Sequence, residues 1–161
     1  MNGVGSSVRI TLYCVGKLGS APEPVLAKDY AARATAAGRA LGLGPVEIVE
    51  VETRKSGKAA EGEALLARLV GDRLIACDEH GPTLTSREFA QLIARLRDDG
   101  ERRLAFVIGS ADGLDQHVLA AARSRISFGA QTWPHALARV MLAEQVYRAI
   151  TIIGGSPYHR D

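Results

Sequence analysis

ISFGAQTWPHALARVMLAEQVYRAITII, residues 126–153, carries a short β-like piece ending at Gly129, a loop closed by Pro134, and a long apolar helix. Proline is well placed at the first position of a helix, where its missing N–H leaves nothing unsatisfied, so the helix is predicted to start near Pro134 or His135. From 136 to 153, 13 of 18 residues are apolar, too many for one solvent-facing stripe. The helix is therefore expected to be buried on most of its circumference, in a core or a subunit interface. At about 100° per residue Glu144, Arg148 and Thr151 share a face, and Glu144 to Arg148 is the favourable i,i+4 order of charges. Arg139 lies alone on the opposite side. Its guanidinium cannot shed its charge, so it needs a carboxylate, an anionic ligand or a path to water along its stem. The residues alone leave these open.

Working outward, the chain alternates strand and helix. Val8–Val15 (VRITLYCV) reads as a strand stopped by Gly16, after a loose start at 1–7. An alanine-rich helix over 25–41 is ended by Gly42-Leu43-Gly44-Pro45, and a second strand covers 46–51. The polar loop 52–61 (ETRKSGKAAE) holds Arg54, Lys55 and Lys58, and is expected to serve as a lid or an RNA-contacting segment, before the helix EALLARLV. A short strand at 74–77 ends at Cys77. Thr85 with Glu88 then makes a capping box for a helix over Ser86–Asp98, whose Phe89, Leu92, Ile93 and Leu96 form one apolar face. LAFVI at 104–108 is apolar throughout, as a buried parallel strand should be. Gly109-Ser110-Ala111-Asp112-Gly113 follows, then a helix over 115–122 and a last β piece at 125–128. Strand, glycine-rich turn and helix can present backbone N–H groups to a ligand, although this turn is not a dinucleotide fingerprint. Gly154 is expected to end the last helix in the left-handed conformation.

The pattern predicts a single α/β domain over 1–161, mainly a parallel sheet with helices on both faces. Ligands in such sheets sit beyond the carboxyl ends of strands. The loops after Cys77, Ile108 and Phe128 are expected to form one pocket. With 161 residues, 47% of them hydrophobic and 24% charged, the chain can bury a real core, and it has no apolar run long enough for a membrane span. The opening residues lack the regions of a signal peptide, which places the protein in the cytoplasm. Cys14 and Cys77 read as core thiols, and neither they nor His80, His117, His135 and His159 stand at metal-ligand spacing. No metal is expected. A net charge of +2 excludes a uniformly basic nucleic-acid binder, so any RNA contact must be local. The clusters on offer are Arg54, Lys55 and Lys58, and Arg148, His159 and Arg160.

Several motifs in register resemble one family. Residues 74–81 and 86–90, Phe106-Val107-Ile108-Gly109 with Gly113, Thr132-Trp133-Pro134-His135, Arg139, the run 144–149 and the terminal Tyr158-His159-Arg160 occur in the order seen in the RlmH (YbeA-like) family, and Val15-Gly16-Lys17 fits too. The resemblance runs from about Val8 to the end. It implies a SPOUT-class enzyme with a C-terminal trefoil knot that acts as a homodimer. Such an enzyme uses S-adenosylmethionine to methylate N3 of a pseudouridine in 23S ribosomal RNA, on the assembled ribosome. It also implies that the last helix is a dimer interface.

By position, the cofactor is expected against Cys77, Gly109 and Ser110, and the loop Gly129, Ala130, Gln131, Thr132, Trp133 and Pro134. Ser110 departs from the family's Gly-Gly, and a Cβ there is unfavourable if the position needs a positive φ. Trp133 stands for a common aliphatic residue. In the tail, 154–161, His159 is the candidate base for the N3 proton. Arg160, Arg139 and Arg148 are candidate anion or phosphate partners, and Tyr158 is a stacking or positioning group. The alternative is a cofactor- or RNA-binding module without turnover, marked by Ser110.

Overall fold

The computed structural model describes residues 7–161. Its elements are β1 (Val8–Val15), α1 (Pro22–Gly38), a 3-10 turn (Arg39–Leu41), β2 (Leu43–Val51), α2 (Lys58–Arg68), β3 (Arg73–Cys77), α3 (Ser86–Asp98), β4 (Arg103–Ile108), α4 (Gln116–Ala121), β5 (Ser124–Ile126) and α5 (His135–Ile153). The strands form one parallel sheet in the order β2-β1-β4-β3-β5. The apolar β4 run is explained by burial on both sides. Leu104, Phe106 and Ile108 enter a core with residues of α1, α3 and α5, while Ala105 and Val107 pack with Leu65 of α2 and Val118 of α4.

Because β3 lies between β4 and β5, the loops leaving these three strands emerge side by side. The loop after β3 is also tied to the β5 exit: Asp78 N–H donates to the Ile126 carbonyl at 2.9 Å and Ser127 N–H to the Pro82 carbonyl at 3.0 Å. Helix α5 buries Leu142, Val146 and Ile150 completely, yet leaves Leu137 exposed. The Thr85 capping box is present, with Thr85 N–H donating to Glu88 Oε2 at 2.8 Å and Glu88 N–H to Thr85 Oγ1 at 3.1 Å.

Several boundaries differ from the sequence reading. Helix α1 begins at Pro22 rather than 25, since Pro22 and Pro24 occupy the first turn, where a missing N–H costs nothing. β2 begins at Leu43 rather than 46, so the glycine-proline punctuation belongs to the strand's entry. Helix α2 starts at Lys58, inside the expected loop 52–61, where Ala59, Ala60 and Glu61 are strong helix formers. β5 is shorter, ending at Ile126, and Gly154 keeps a right-handed φ of −81° while Gly155 takes the positive φ of 72°. The expected loose start lies outside the described residues except for Ser7, whose hydroxyl donates to the Gly44 carbonyl at 2.6 Å.

Candidate functional site

A cavity of about 300 Å³ opens at the carboxyl ends of β3, β4 and β5. Cys77 and Ile108 form its base, the 109–114 turn one wall, and residues 126–129 and 131–133 the other. Lys58 of α2, Leu119 of α4 and His135 and Ala138 of α5 complete it. Seven of the expected cofactor residues line it: Cys77, Gly109, Ser110, Gly129, Gln131, Thr132 and Trp133. Ala130 and Pro134 are exposed and do not. Pro134 instead starts α5, its carbonyl accepting from Ala138 N–H at 2.9 Å.

The turn explains the glycine pattern. A Cβ on Gly109 would lie 2.6 Å from both the carbonyl carbon and oxygen of Gly113 and 3.1 Å from Leu114 N, all backbone. Gly109 is therefore fixed by close approach. Ser110 is not under that constraint. No residue other than glycine among those described has a positive φ. Its hydroxyl turns to α2 and donates to Glu61 Oε2 at 2.9 Å, while its carbonyl accepts from Gly113 N–H at 2.9 Å. The serine fits where a second glycine was expected.

The facing wall is held by its own side chains. Ser127 Oγ bridges the Gly129 carbonyl at 3.0 Å and accepts from Gly129 N–H at 3.2 Å, and Gly129 has a φ of 109°. Trp133 Nε1–H donates to the Phe128 carbonyl at 3.2 Å, leaving its ring 40% exposed at the cavity mouth. Burial pushes the Cys77 thiol well above its ordinary pKa, with Cys14 adding to the rise, and burial pushes Cys14 up to about 11. Both stay protonated near neutral pH, so neither supplies a thiolate nucleophile. Asp78, which also lines the cavity, has a buried Oδ2 without a hydrogen bond, the Arg125 guanidinium standing 3.7 Å away. A glycine cradle and apolar walls from Ile108, Leu114, Leu119 and Phe128 suit an adenosine-like ligand. Among the described residues no group of three or more His, Cys, Asp or Glu side chains could hold a metal ion.

The candidate catalytic residues gather elsewhere. On α5, Arg148 donates from Nε and Nη2 to Glu144 Oε1 at 2.9 and 2.6 Å, and from Nη1 to His159 Nδ1 at 3.1 Å. Its guanidinium lies 4.8 Å from the centroid of the Tyr158 ring, whose hydroxyl donates to Glu144 Oε1 at 3.0 Å. Burial and that bond to Glu144 push the phenol up to about 12. A guanidinium has no lone pair to offer, so His159 Nδ1 must be the acceptor and Nε2 carries the proton. That proton faces Asp161 Oδ1 at 3.2 Å. Asp161 is clamped in turn by Arg87 through contacts of 2.7 and 2.6 Å, which hold its carboxyl below the ordinary range. The tail is thus fastened to α3 and α5. Arg160 is exposed.

Arg139 is in neither place. It is 1% exposed, with Nη1 3.2 Å from Glu50 Oε2 and Nη2 donating to the Gly16 carbonyl at 3.2 Å. Of the three alternatives the sequence left open for Arg139, the structure supplies the carboxylate, Glu50 at the end of β2. Arg139 and the tail group of Tyr158, His159, Arg160 and Arg148 do not line the 300 Å³ cavity. Sequence reasoning did not single out Glu50, Asp78, Arg87 or Asp161. Only Glu144 had a local signal, its i,i+4 spacing to Arg148.

A second, larger cavity of about 560 Å³ lies where α1, α3 and α5 meet, lined by Leu26, Tyr30, Phe89 and Met141, with Ser86, Glu144 and Gln145 as its polar groups. It shares Ile126, Ser127, Phe128 and Gly129 with the first.

The fold has solved counterparts. It resembles a probable methyltransferase from Bordetella pertussis Tohama I, with a TM-score of 0.57 at 21% identity over 89% of this chain and 96% of the other. A probable methylase family protein from Haemophilus influenzae Rd KW20 gives 0.54 at 16% identity over 98% and 72%. The family model described as predicted SPOUT methyltransferase matches residues 8–159, and the chain belongs to that family. Within it, the chain is 66% identical to "Ribosomal RNA large subunit methyltransferase H" of Caulobacter sp. (strain K31), covering 96% of this chain and all of the relative. It is 64% identical to the protein of the same name from Caulobacter vibrioides, over 96% and 99%.

Proposed function

We propose that this chain transfers a methyl group from S-adenosylmethionine to N3 of a pseudouridine in large-subunit (23S) ribosomal RNA, acting on the assembled ribosome in the cytoplasm as a homodimer. One observation carries the reading. In a chain matching ribosomal RNA large subunit methyltransferases over nearly its full length, the loops after β3, β4 and β5 converge on one glycine-cradled cavity. No helix among the described residues is long and apolar enough to cross a membrane.

The cofactor supplies an electrophilic methyl on a sulfonium. The protein's part is to hold it and align the acceptor, and positioning of this kind provides most of the rate. Gly109 and Gly129 let the backbone approach closely, and Phe128 and Trp133 cover the ligand. N3 must also lose its proton. His159 is the candidate base through Nδ1, which is free to accept once Arg148 turns its Nη1 toward the RNA. Tyr158 stays a neutral phenol and positions or stacks, and Arg160 contacts phosphate. Arg139, held by Glu50 and Gly16, acts by fixing α5 against β1 and β2 rather than by touching the substrate.

Along α5, Ala138 at the cavity and Arg148 in the tail cluster are ten residues apart, about 15 Å at 1.5 Å per residue. One protomer therefore holds its cofactor cavity and its tail group apart. A dimer across α1 and α5 resolves this by presenting one protomer's tail to its partner's cavity. Exposed Val25 and Leu26 of α1 and Leu137 of α5 support that face. We also assign this chain the family's C-terminal trefoil knot. The binding-module alternative rested on Ser110, whose side chain is accommodated against Glu61, and nothing else favours it.

The test is incubation with labelled S-adenosylmethionine and either unmethylated ribosomes or protein-free ribosomal RNA, with the nucleoside identified by mass spectrometry. N3-methylpseudouridine from ribosomes alone is expected. A different methylated nucleoside, or none from folded dimer, would overturn the assignment.

A further inference from the structure

We infer that Arg54, Lys55 and Lys58 form the seat for the phosphate backbone of the ribosomal RNA strand that enters beside the cofactor cavity; this rests on the RNA-methylating reading above. The three cations fall within five residues, all are exposed, and none makes an ion pair among the described residues. By contrast the guanidiniums of Arg73, Arg87, Arg139 and Arg148 are each spent on a carboxylate. From 53 to 58 there is no acidic residue, and the nearest one downstream, Glu61, is occupied by the Ser110 hydroxyl.

Position supplies the second half of the argument. Lys58 is the first residue of α2, which has no side-chain cap. A cation there opposes the positive end of the helix, an arrangement that is relieved when an anion sits among the N-terminal N–H groups and the lysine. The same Lys58 lines the cofactor cavity, so the patch begins at the rim of the site and extends away from it through Lys55 and Arg54. Thr53 Oγ1 donates to the Lys55 carbonyl at 2.6 Å, which holds the loop in a turn. The other charges lining that cavity are mostly acidic, Asp78, Glu79 and Asp112, and would repel RNA. With a net charge of only +2, this loop is where the chain concentrates positive charge next to its reaction centre. Phosphate is the partner it fits, and contacts of this type position a strand without reading its sequence.

The experiment compares the full-length protein with Arg54→Gln/Lys55→Gln, two residues that do not line the cofactor cavity, and separately with Lys58→Gln. Methylation of unmethylated ribosomes, through their large subunits, is followed at a series of salt concentrations. The double variant should raise KM for the ribosomes by roughly 5–10-fold and reduce the slope of log affinity against log salt by about 1.5, close to the loss of two phosphate contacts. Its affinity for S-adenosylmethionine, measured by calorimetry, should stay at the wild-type value. Wild-type KM and salt slope in both variants would overturn the inference while leaving the reaction assignment intact. A weakened cofactor affinity in the double variant would overturn it too, by making the loop part of the cofactor site. If the unaltered protein methylates nothing, the reaction assignment fails instead. The inference is then judged on ribosome binding by filter retention at the same salt concentrations, with the same slope criterion.

Discussion

Gly109→Ala is the sharpest test of how the candidate cofactor cavity is built. The new Cβ would stand 2.6 Å from the carbonyl group of Gly113, against the 3.4 Å or more of an ordinary contact, so the turn must open by 3.4 − 2.6 = 0.8 Å. The obstacle is backbone and cannot rotate away. It is held in place by the bond from Gly113 N–H to the Ser110 carbonyl at 2.9 Å, and Gly113 already sits at a φ of 81°. Overpacking of this kind costs about 1–3 kcal/mol, which for a domain of this size lowers Tm by about 5 °C. The functional loss should be larger, because the displaced wall is the ligand's own contact and a shift near 1 Å can cost on the order of 100-fold. Ser110→Gly is the companion variant. It gives up one part-buried hydrogen bond to Glu61, worth about 0.5–1.5 kcal/mol, and changes no backbone contact. Calorimetric titration with S-adenosylmethionine and thermal melts should show Gly109→Ala binding at least about 10-fold more weakly than Ser110→Gly. Equal affinities, or a Gly109→Ala variant with wild-type Tm, would show that the close approach at Gly109 does not shape the site.

Three further outcomes follow from the charged groups. Glu50→Gln leaves a buried Arg139 without its carboxylate and should destabilise the fold by about 2 kcal/mol, below the range for fully buried pairs because Glu50 is partly exposed; Arg139→Met should cost less in urea unfolding, and the reverse order would refute the structural role. Burial raises the Glu50 pKa, but the Leu18 N–H and Arg139 outweigh it and the net value lies below the ordinary 4.5; the stability it lends is thus complete above about pH 4.5 and is lost as pH falls through the lowered value, a loss that Glu50→Gln should abolish. His159→Ala, folded and dimeric, should lose about 100-fold or more in methyl transfer if it is the base, and near-normal turnover removes it from that role. Asp161→Asn cuts the Arg87 clamp, so hydrogen exchange should rise across 156–161 while Tm barely moves; unchanged protection would mean that Tyr158 and His159 hold the tail without it.

The fold was legible because its signals are local. LAFVI at 104–108 announces a strand buried on both faces, and Thr85 with Glu88 fixes the start of α3 to the residue. The glycine-proline run at 42–45 misled because the same residues that stop a helix also start a strand. The expected cofactor residues could be placed on the loops after β3, β4 and β5, since ligands gather at strand carboxyl ends. Their meeting in one cavity depends on β3 lying between β4 and β5, which no spacing reveals. Arg139 shows the limit well. Its buried charge called for a partner or a path to water, yet Glu50 lies 89 residues earlier and is reached only by the folded chain.

The tail illustrates how one sequence motif can carry two physical roles. Tyr158-His159-Arg160 was legible as chemistry because aromatic, imidazole and guanidinium suit RNA. Its geometry instead satisfies the first two internally, the Tyr158 hydroxyl by Glu144, His159 Nδ1 by Arg148 and His159 Nε2 by Asp161, and leaves Arg160 exposed. The arrangement holds His159 with Nδ1 accepting from Arg148 and Nε2 facing Asp161. On the reaction proposed above, the substrate's phosphate would draw Arg148 away from the imidazole through a charge-assisted contact and free Nδ1. Glu144 keeps Arg148 in reach throughout, which makes that carboxylate the pivot of the cluster rather than a member of the reaction.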